Sequence, residues 1–468
     1  MLAHVTESLH VALLPRFRQV ALATVAVAVF TFATRCYAQV QPGAAPAVEQ
    51  PAPLTLEESI RTALANNTDV RTAEEQVAKA RAVTRQARAG LGPQVSAGVT
   101  HSWTGPIASM TVGTQTVVLG VPETTITQLS LALPVDISRQ ISTAVGSADL
   151  ARLAQEFGLA AVRQSVALQV QEAYLGVLRV QALENVAREA LAAAQEHHQI
   201  AQLQQKAGVV APFDVLRAEV QVASYRQDLL AKQNAVDLAV ANLNRVMGTD
   251  VNRPLRLVEP ALTERAAVEL AASQQEAEQR RPEVLQAQTL LQAARKGVKL
   301  ARAGLQPSFA LAAGYSYDAN PSGFAGQSES WNVSAAVRLP LFDSGATHAR
   351  VHQAQADVAT AELRERDAGQ QVSLEVRQAY LSLREAKQRM STSEKDVAQA
   401  REALRLAQAR YRAGVSASVE VTDAEVAFAQ SLSNQVNARY DYELAQARLD
   451  RAVGRPLGEY PEKEEGVK

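Results

Sequence analysis

The chain has 468 residues, with 47 Lys and Arg against 48 Asp and Glu, so a formal charge of −1 gives no electrostatic reason to bind nucleic acid. Apolar residues make up 47%, yet aromatics only 4%, and much of the apolar count is alanine. Alanine-rich helices pack in thin layers rather than around a thick core, so long helical hairpins are expected in place of a compact enzyme domain.

Residues 1–38 have the pattern of an export signal. Arg16 and Arg18 precede an apolar run from Val20 to Ala33, and small residues at Cys36 and Ala38 suit cleavage near Ala38. The run is short for a membrane span, and Arg35 beside Cys36 spoils a lipid-attachment site. Removing this segment takes away three basic residues and one acidic one, moving the charge from −1 to −3. It also removes the single cysteine, so neither a disulfide nor a thiol nucleophile is available. Residues 39–53 read as a Pro/Ala-rich linker.

A first unit covers 54–248. Thr55 and Glu58 have capping-box spacing, and the helix they open is expected to run to about Ala89, where Gly90-Leu91-Gly92-Pro93 stops it. Two strands follow, at about 94–103 and 126–133, in which Val95, Ala97 and Val99, then Leu129, Leu131 and Leu133, alternate with polar or small residues. Val117-Val118-Leu119, inside the connecting loop, is not assigned to a strand. From Arg139 to Lys206 there is no proline, and Val166, Val170, Ala173, Val177 and Val180 step by four and three like a coiled-coil seam. At 1.5 Å per residue such a helix spans roughly 100 Å. The bend at 207–213 has Gly208 for the left-handed residue and Pro212 for the first turn of a return helix that reaches Val246.

After a connection at 249–261 the pattern recurs over 262–454. A helix to Ala303 ends at Gly304-Leu305-Gln306-Pro307, strands fall at about 308–317 and 330–339, and Val372, Val376, Ala379 and Leu383 form the second seam. A second bend at 413–419 places Gly414 206 positions after Gly208 (414 − 208). Residues 455–468 form a charged tail. The chain is therefore a tandem duplication of one unit: helix, two strands, long helix, tip, return helix.

Each strand has the length and alternation of a transmembrane β-strand. Nothing else in the chain is free to cover four apolar strand faces. Trp103, Tyr315, Tyr317 and Trp331 sit near strand ends, where a membrane-interface aromatic belt would place them. Four strands cannot close a barrel, and an open edge does not survive in lipid, so several copies must share one. Three would give twelve strands continuing into a twelve-helix tube, and six would also satisfy closure. The fold class is thus mainly α with a transmembrane β-barrel portion.

On these residues the chain resembles the TolC-like outer-membrane efflux protein family. The matching stretches are Leu54 to Ile60, Arg281-Pro282-Glu283-Val284, the strand exits Leu133-Pro134 and Leu339-Pro340, Tyr174 and Tyr380, and above all Tyr411 to Asp423. The resemblance covers about 54–455. It implies a homotrimer, a β-barrel in the outer membrane of a Gram-negative bacterium, and an α-barrel across the periplasm. It also implies docking to a periplasmic adaptor and an inner-membrane transporter, for export of drugs or secreted proteins. By the same resemblance the pore constriction falls on Glu420 and Asp423, and the polar links of the closed end on Tyr411 and Asp214. Ser416 stands where the family has an arginine and Phe213 where it has a threonine, which leaves Arg410 or Arg412 to replace the missing cation. The tips, with Gly208, Val209, Gly414 and Val415, are the expected adaptor contacts.

Acidic residues in a helix's first turn are favoured by its dipole in any protein, which is the plain alternative for Asp214, Glu420 and Asp423. His197 and His198 diverge by about 100° on a helix and read as a solvated face, not a metal site. No nucleophile motif or phosphate loop is present, so no catalytic residue and no cofactor is expected. The other reading of the same pattern is a periplasmic coiled-coil adaptor or envelope scaffold. Such adaptors carry one hairpin per chain, against the two found here.

Overall fold

The computed structural model describes residues 53–118, 120–260, 269–321 and 327–456. The export signal, the linker up to Ala52, part of the connection (261–268), Leu119 and most of the tail lie outside the described residues. The described part begins with β1 (Pro53–Leu54), which pairs in parallel with β6 (Arg256–Leu257) across the connection. Helix α1 (Leu56–Asn66) starts on the Thr55/Glu58 capping box.

The helix expected to run unbroken from 54 to 89 is broken. Asn67 leaves helical geometry (φ −63°, ψ 134°) and α2 (Thr68–Ala89) begins after it. The amide side chain of Asn67 caps α2 by accepting from Asp69 N at 2.8 Å, and its Nδ2 donates to Val246 O at 2.9 Å. Those two bonds are open to Asn67 only outside a helix interior, which is why asparagine favours caps. The second repeat breaks at the matching place. Helices α5 (Leu270–Arg280) and α6 (Pro282–Arg302) are separated by Arg281 (φ −68°, ψ 122°), because the residue before a proline is pushed out of the α region.

Four strands form one antiparallel sheet in the order β2 (Gln94–Trp103), β5 (Glu123–Val135), β7 (Ser308–Asp318) and β8 (Glu329–Arg338). β5 extends beyond the expected 126–133 at both ends. The loop before it holds a small hairpin, β3 (Ser109–Val112) and β4 (Gln115–Val118), turning at Gly113 (φ 67°). The central pairing, β5 with β7, joins the two repeats, with Leu129 opposite Tyr315.

The long helices are α3 (Gln140–Lys206) and α7 (Ala346–Arg412), each 67 residues without a break, and the return helices α4 (Pro212–Met247) and α8 (Ser418–Val453) are each 36. Asp136 starts α3 by accepting from Ile141 N and Ser142 N, and Asp343 starts α7 by accepting from Thr347 N. Both tips close alike. Val209 N donates to Gln204 O and Val415 N to Arg410 O, with Gly208 and Gly414 at φ 76° and 73°. These are the hydrogen bonds of a Schellman ending.

The main core lies where α1, α3 and α4 meet, around Val166, Val170, Val177, Leu243 and Met247. Tyr174 is fully buried there, its hydroxyl donating to the carbonyl of Leu54 or Val258 and accepting from Val258 N, which clamps β1 to β6. Each return helix then ends on a helix break of its own repeat. Gly248 (φ 70°) abuts Asn66, and Gly454 (φ 84°) abuts Arg280. Arg281 is buried beside the second contact. It donates to the last carbonyls of α8, Arg451 O at 3.3 Å and Ala452 O at 3.2 Å, and pairs with Glu283 and Glu375. A cation at a helix C-terminus opposes the negative end of the helix dipole.

The two kinds of glycine separate in their cost. A Cβ on Gly208 would meet nothing within 4 Å, whereas on Gly248 it would lie 2.7 Å from Asn66 O. Gly208→Ala is expected to cost the left-handed penalty alone, about 1 kcal/mol, and Gly248→Ala roughly twice that or more, because backbone must also shift. Urea unfolding followed by circular dichroism reads the order, and equal midpoints for the two variants would contradict it.

Candidate functional site at the hairpin tips and on the sheet face

Below the helix breaks, α3 packs against α4 on one side and α8 on the other, and α8 packs against α7. Both tips therefore lie at one end of the described helices. At the second tip the expected constriction residues Glu420 and Asp423 are both exposed. Glu420 sits 3.6 Å from Arg410 within its own hairpin. Arg412 reaches the other hairpin instead, 3.4 Å from Glu196 of α3. Within the single chain Arg410 thus pairs inside its own hairpin and Arg412 across to the first, and the Ser416 hydroxyl is enclosed without a hydrogen bond.

Tyr411 is buried, its ring 5.3 Å from that of His197. Its hydroxyl makes no hydrogen bond of regular geometry. Burial pushes the phenol's pKa up, the carboxylate of Asp214 adds to this, and the Ser418 hydroxyl opposes it. The structure thus brings Tyr411 and Asp214 into one electrostatic neighbourhood but links them by no direct bond.

His197 overturns the reading of its pair as a solvated face. His198 is half-buried, but His197 is buried, with Nε2 3.2 Å from Ser418 Oγ. Burial lowers its pKa, His198 adds to the drop, and Asp214 opposes it. The signal was present in the sequence: His197 falls three residues after Ala194 and four before Ala201, both buried on the packed stripe of α3. Glu425 was missed for a similar reason. It follows Ser418 and Val421 in steps of three and four on the buried face of α8. Only 5% of Glu425 is exposed, and neither carboxyl oxygen has a partner. Burial pushes its pKa up to about 7, with Glu196 contributing in the same direction.

The turns themselves stand open. Val209 and Val415 are exposed beside Gly208 and Gly414, and the first tip adds Phe213 and Leu216.

At the other end, strand register gathers the large apolar strand positions, Ile126 excepted, on one face of the sheet. Val95, Val99 and Trp103 of β2 align through their partners with Leu131 and Leu129, then Tyr317, Tyr315 and Leu311, then Trp331, Val333 and Val337. The opposite face carries Ser96, Thr100, Ser130, Gln128, Gly314, Ser316, Asn332 and Ser334. Trp331 is 78% exposed and Val99 70%, so no other described part of the chain covers the apolar face. Trp103, Tyr315, Tyr317 and Trp331 all lie toward the end of the sheet away from the long helices. Among the described residues no helix is long and apolar enough to cross a membrane.

A family model described as Outer membrane efflux protein matches residues 59–249 and 274–455. The chain is 27% identical over 411 residues to the toluene efflux pump outer membrane protein TtgC of Pseudomonas putida, spanning 85% of this chain and 82% of that one. It is 28% identical over 302 residues to the outer membrane protein TolC of Vibrio cholerae, 63% of this chain and 69% of that one. The crystal structure of the outer membrane protein VceC from Vibrio cholerae superposes with a TM-score of 0.73 at 22% identity, over 86% of this chain and 96% of that one.

The unbonded hydroxyl of Tyr411 gives a test. Tyr411→Phe removes a buried group with no hydrogen bond, so stability is expected to hold or rise, while Tyr411→Ala empties the site and is expected to cost about 3–5 kcal/mol. A Phe variant as damaged as the Ala variant in urea unfolding would mean that the hydroxyl is bonded after all.

Proposed function

The chain belongs to the outer membrane efflux protein family, and on that footing we propose that it is the exit duct of a tripartite export system. Members of this family are outer-membrane efflux channels rather than enzymes. Its place is the outer membrane of a Gram-negative bacterium, with the helices in the periplasm. In the proposed assembly an inner-membrane transporter supplies the energy, a periplasmic adaptor meets the tips at Gly208, Val209, Gly414 and Val415, and drugs or secreted proteins pass through.

The observation that carries this reading is the one-sided sheet. An apolar face four strands wide and open to its surroundings suits lipid, and the polar face behind it suits a water-filled lumen. Its edges, β2 and β8, have unpaired backbone groups that must be satisfied in a membrane. Three copies joined edge to edge would close a twelve-stranded barrel and bring Trp103, Tyr315, Tyr317 and Trp331 into a girdle at its outer rim. The lateral order α4-α3-α8-α7 also ends on open edges, and exposed Leu230 and Leu238 on α4 favour burial against a neighbouring copy. A periplasmic adaptor would have no use for the sheet's apolar face.

At the periplasmic end a threefold axis would turn Asp423 and Glu420 into rings of three carboxylates, a cation-selective constriction. Tyr411 and Asp214 would belong to the packing that holds the tips together. Purified protein in planar bilayers is expected to give a small cation-selective conductance that rises on Asp423→Ala. Conductance unchanged by the substitution would move the constriction elsewhere, and a protein that never conducts would remove the channel reading itself.

A further inference from the structure

The seam where the second tip rests on α3 contains a carboxyl group with nothing to neutralise it. Glu425 faces Glu196 and His197 of α3, Tyr225 of α4, and Tyr411 and Arg412 of α7, with Asp214 of α4 acting on His197 and Tyr411 from behind them. Arg412 is the one cation of this set. Its side chain is largely exposed and turned to Glu196. A cavity of about 20 Å³ lies beside Glu425, room for roughly one water molecule. Both carboxyl oxygens are nonetheless shut off from the surface without a donor. An ionised carboxylate in such a place is costly, and the group takes up a proton instead.

We propose that this seam is a proton-binding site: Glu425 holds a proton while the second hairpin tip lies against the first, and releases it when the tip swings out into water. Only one copy of the duplication carries the device. The matching residue of the first hairpin, Glu219 in Ala218-Glu219-Val220, is exposed. His197, Tyr411 and Ser418 have Ala403, Gln205 and Pro212 as their counterparts at the same offset.

The direction follows from the burial of Glu425. Its pKa is about 7 in the docked tip, against an ordinary 4.5. Its contribution to docking is therefore complete below the ordinary value and lost as pH rises through about 7. His197 acts the other way. Burial lowers its pKa from 6.5, so its contribution is present above 6.5 and lost as pH falls through the lowered value. His197 is the same in wild type and in Glu425→Gln, so the ratio of the two at equal pH reads Glu425 by itself.

The proton linkage stands on the packing of the helices, and only its effect on conduction rests on the channel reading. Amide hydrogen exchange of residues 413–425, compared at equal pH between wild type and Glu425→Gln, measures tip release directly. Wild type is expected to exchange at least about tenfold faster than the variant at pH 8 and within about twofold of it at pH 4.5. Glu219→Gln should change neither. Infrared difference spectra of the wild type between pH 6.5 and 8 read the proton without a variant, as a carboxylic acid carbonyl band that disappears on the alkaline side. Equal exchange at both pH values, or no such band, would overturn the proposal. In bilayers the wild-type conductance should rise over the same range and that of Glu425→Gln should not. Proton-linked exchange without conductance in any variant would sink the channel reading and leave the proton site standing.

Discussion

Each repeat is held in shape by one contact: the end of its return helix seated on the break in its first helix. The glycine that ends α4 or α8 has no Cβ, so backbone meets backbone, Gly248 on Asn66 and Gly454 on Arg280. The residue at each break then supplies the hydrogen bonds. Asn67 donates one amide proton to Val246 O, while Arg281 brings a full positive charge to the carbonyls of Arg451 and Ala452. The same geometric problem has a neutral solution in one copy and an ionic solution in the other. With these contacts in place, the two arms of a hairpin roughly 54 Å from root to tip are fixed at its base, and the long helices extend from a rigid root.

That arrangement assigns different physical work to the two ends. At the sheet, alternation along the strands divides an apolar surface from a polar one, and the chemistry there is non-specific: area, hydrophobicity and aromatic rims. At the tips the residues are polar, few and individually placed. Buried His197, Tyr411 and Glu425 lie where two hairpins touch, at the positions farthest from the root. Little apolar area is buried there, so single polar groups weigh heavily in whether the hairpins stay together.

Much of this was legible in the sequence because it is written in periods. The duplication, the strand alternation and the valine seams follow from spacing alone. The breaks at Asn67 and Arg281 were not read, although both carry local signals, a capping asparagine and a residue before proline, because the apolar period continues across them. The tips are legible through their turn glycines and acidic residues; Glu420 is exposed as a first-turn acid should be, and Asp423, one turn further on, is exposed as well. His197 reads as solvated because its ring is titratable, and Glu425 has no motif to single it out. Their positions on stripes of small residues, Ala194 to Ala201 and Ser418 to Val421, carried the information on burial. Spacing nominates the helix face, but which of the two repeated glutamates, Glu219 or Glu425, is covered depends on the neighbouring hairpin.

The pairing of β5 with β7 has a further consequence for how such a duplicated chain can change length. Side chains alternate with a period of two, so moving one strand by a single residue against its partner would turn all its apolar positions to the wet side. The two halves of this protein are therefore locked in parity across the Leu129–Tyr315 pair. Insertions within the strands are admissible only in even steps. Insertions in the loops between them carry no phase, and the first of these loops has taken on a hairpin of its own, β3 and β4. Foreign segments added for surface display or labelling belong in that loop, where added length leaves the parity of the sheet untouched.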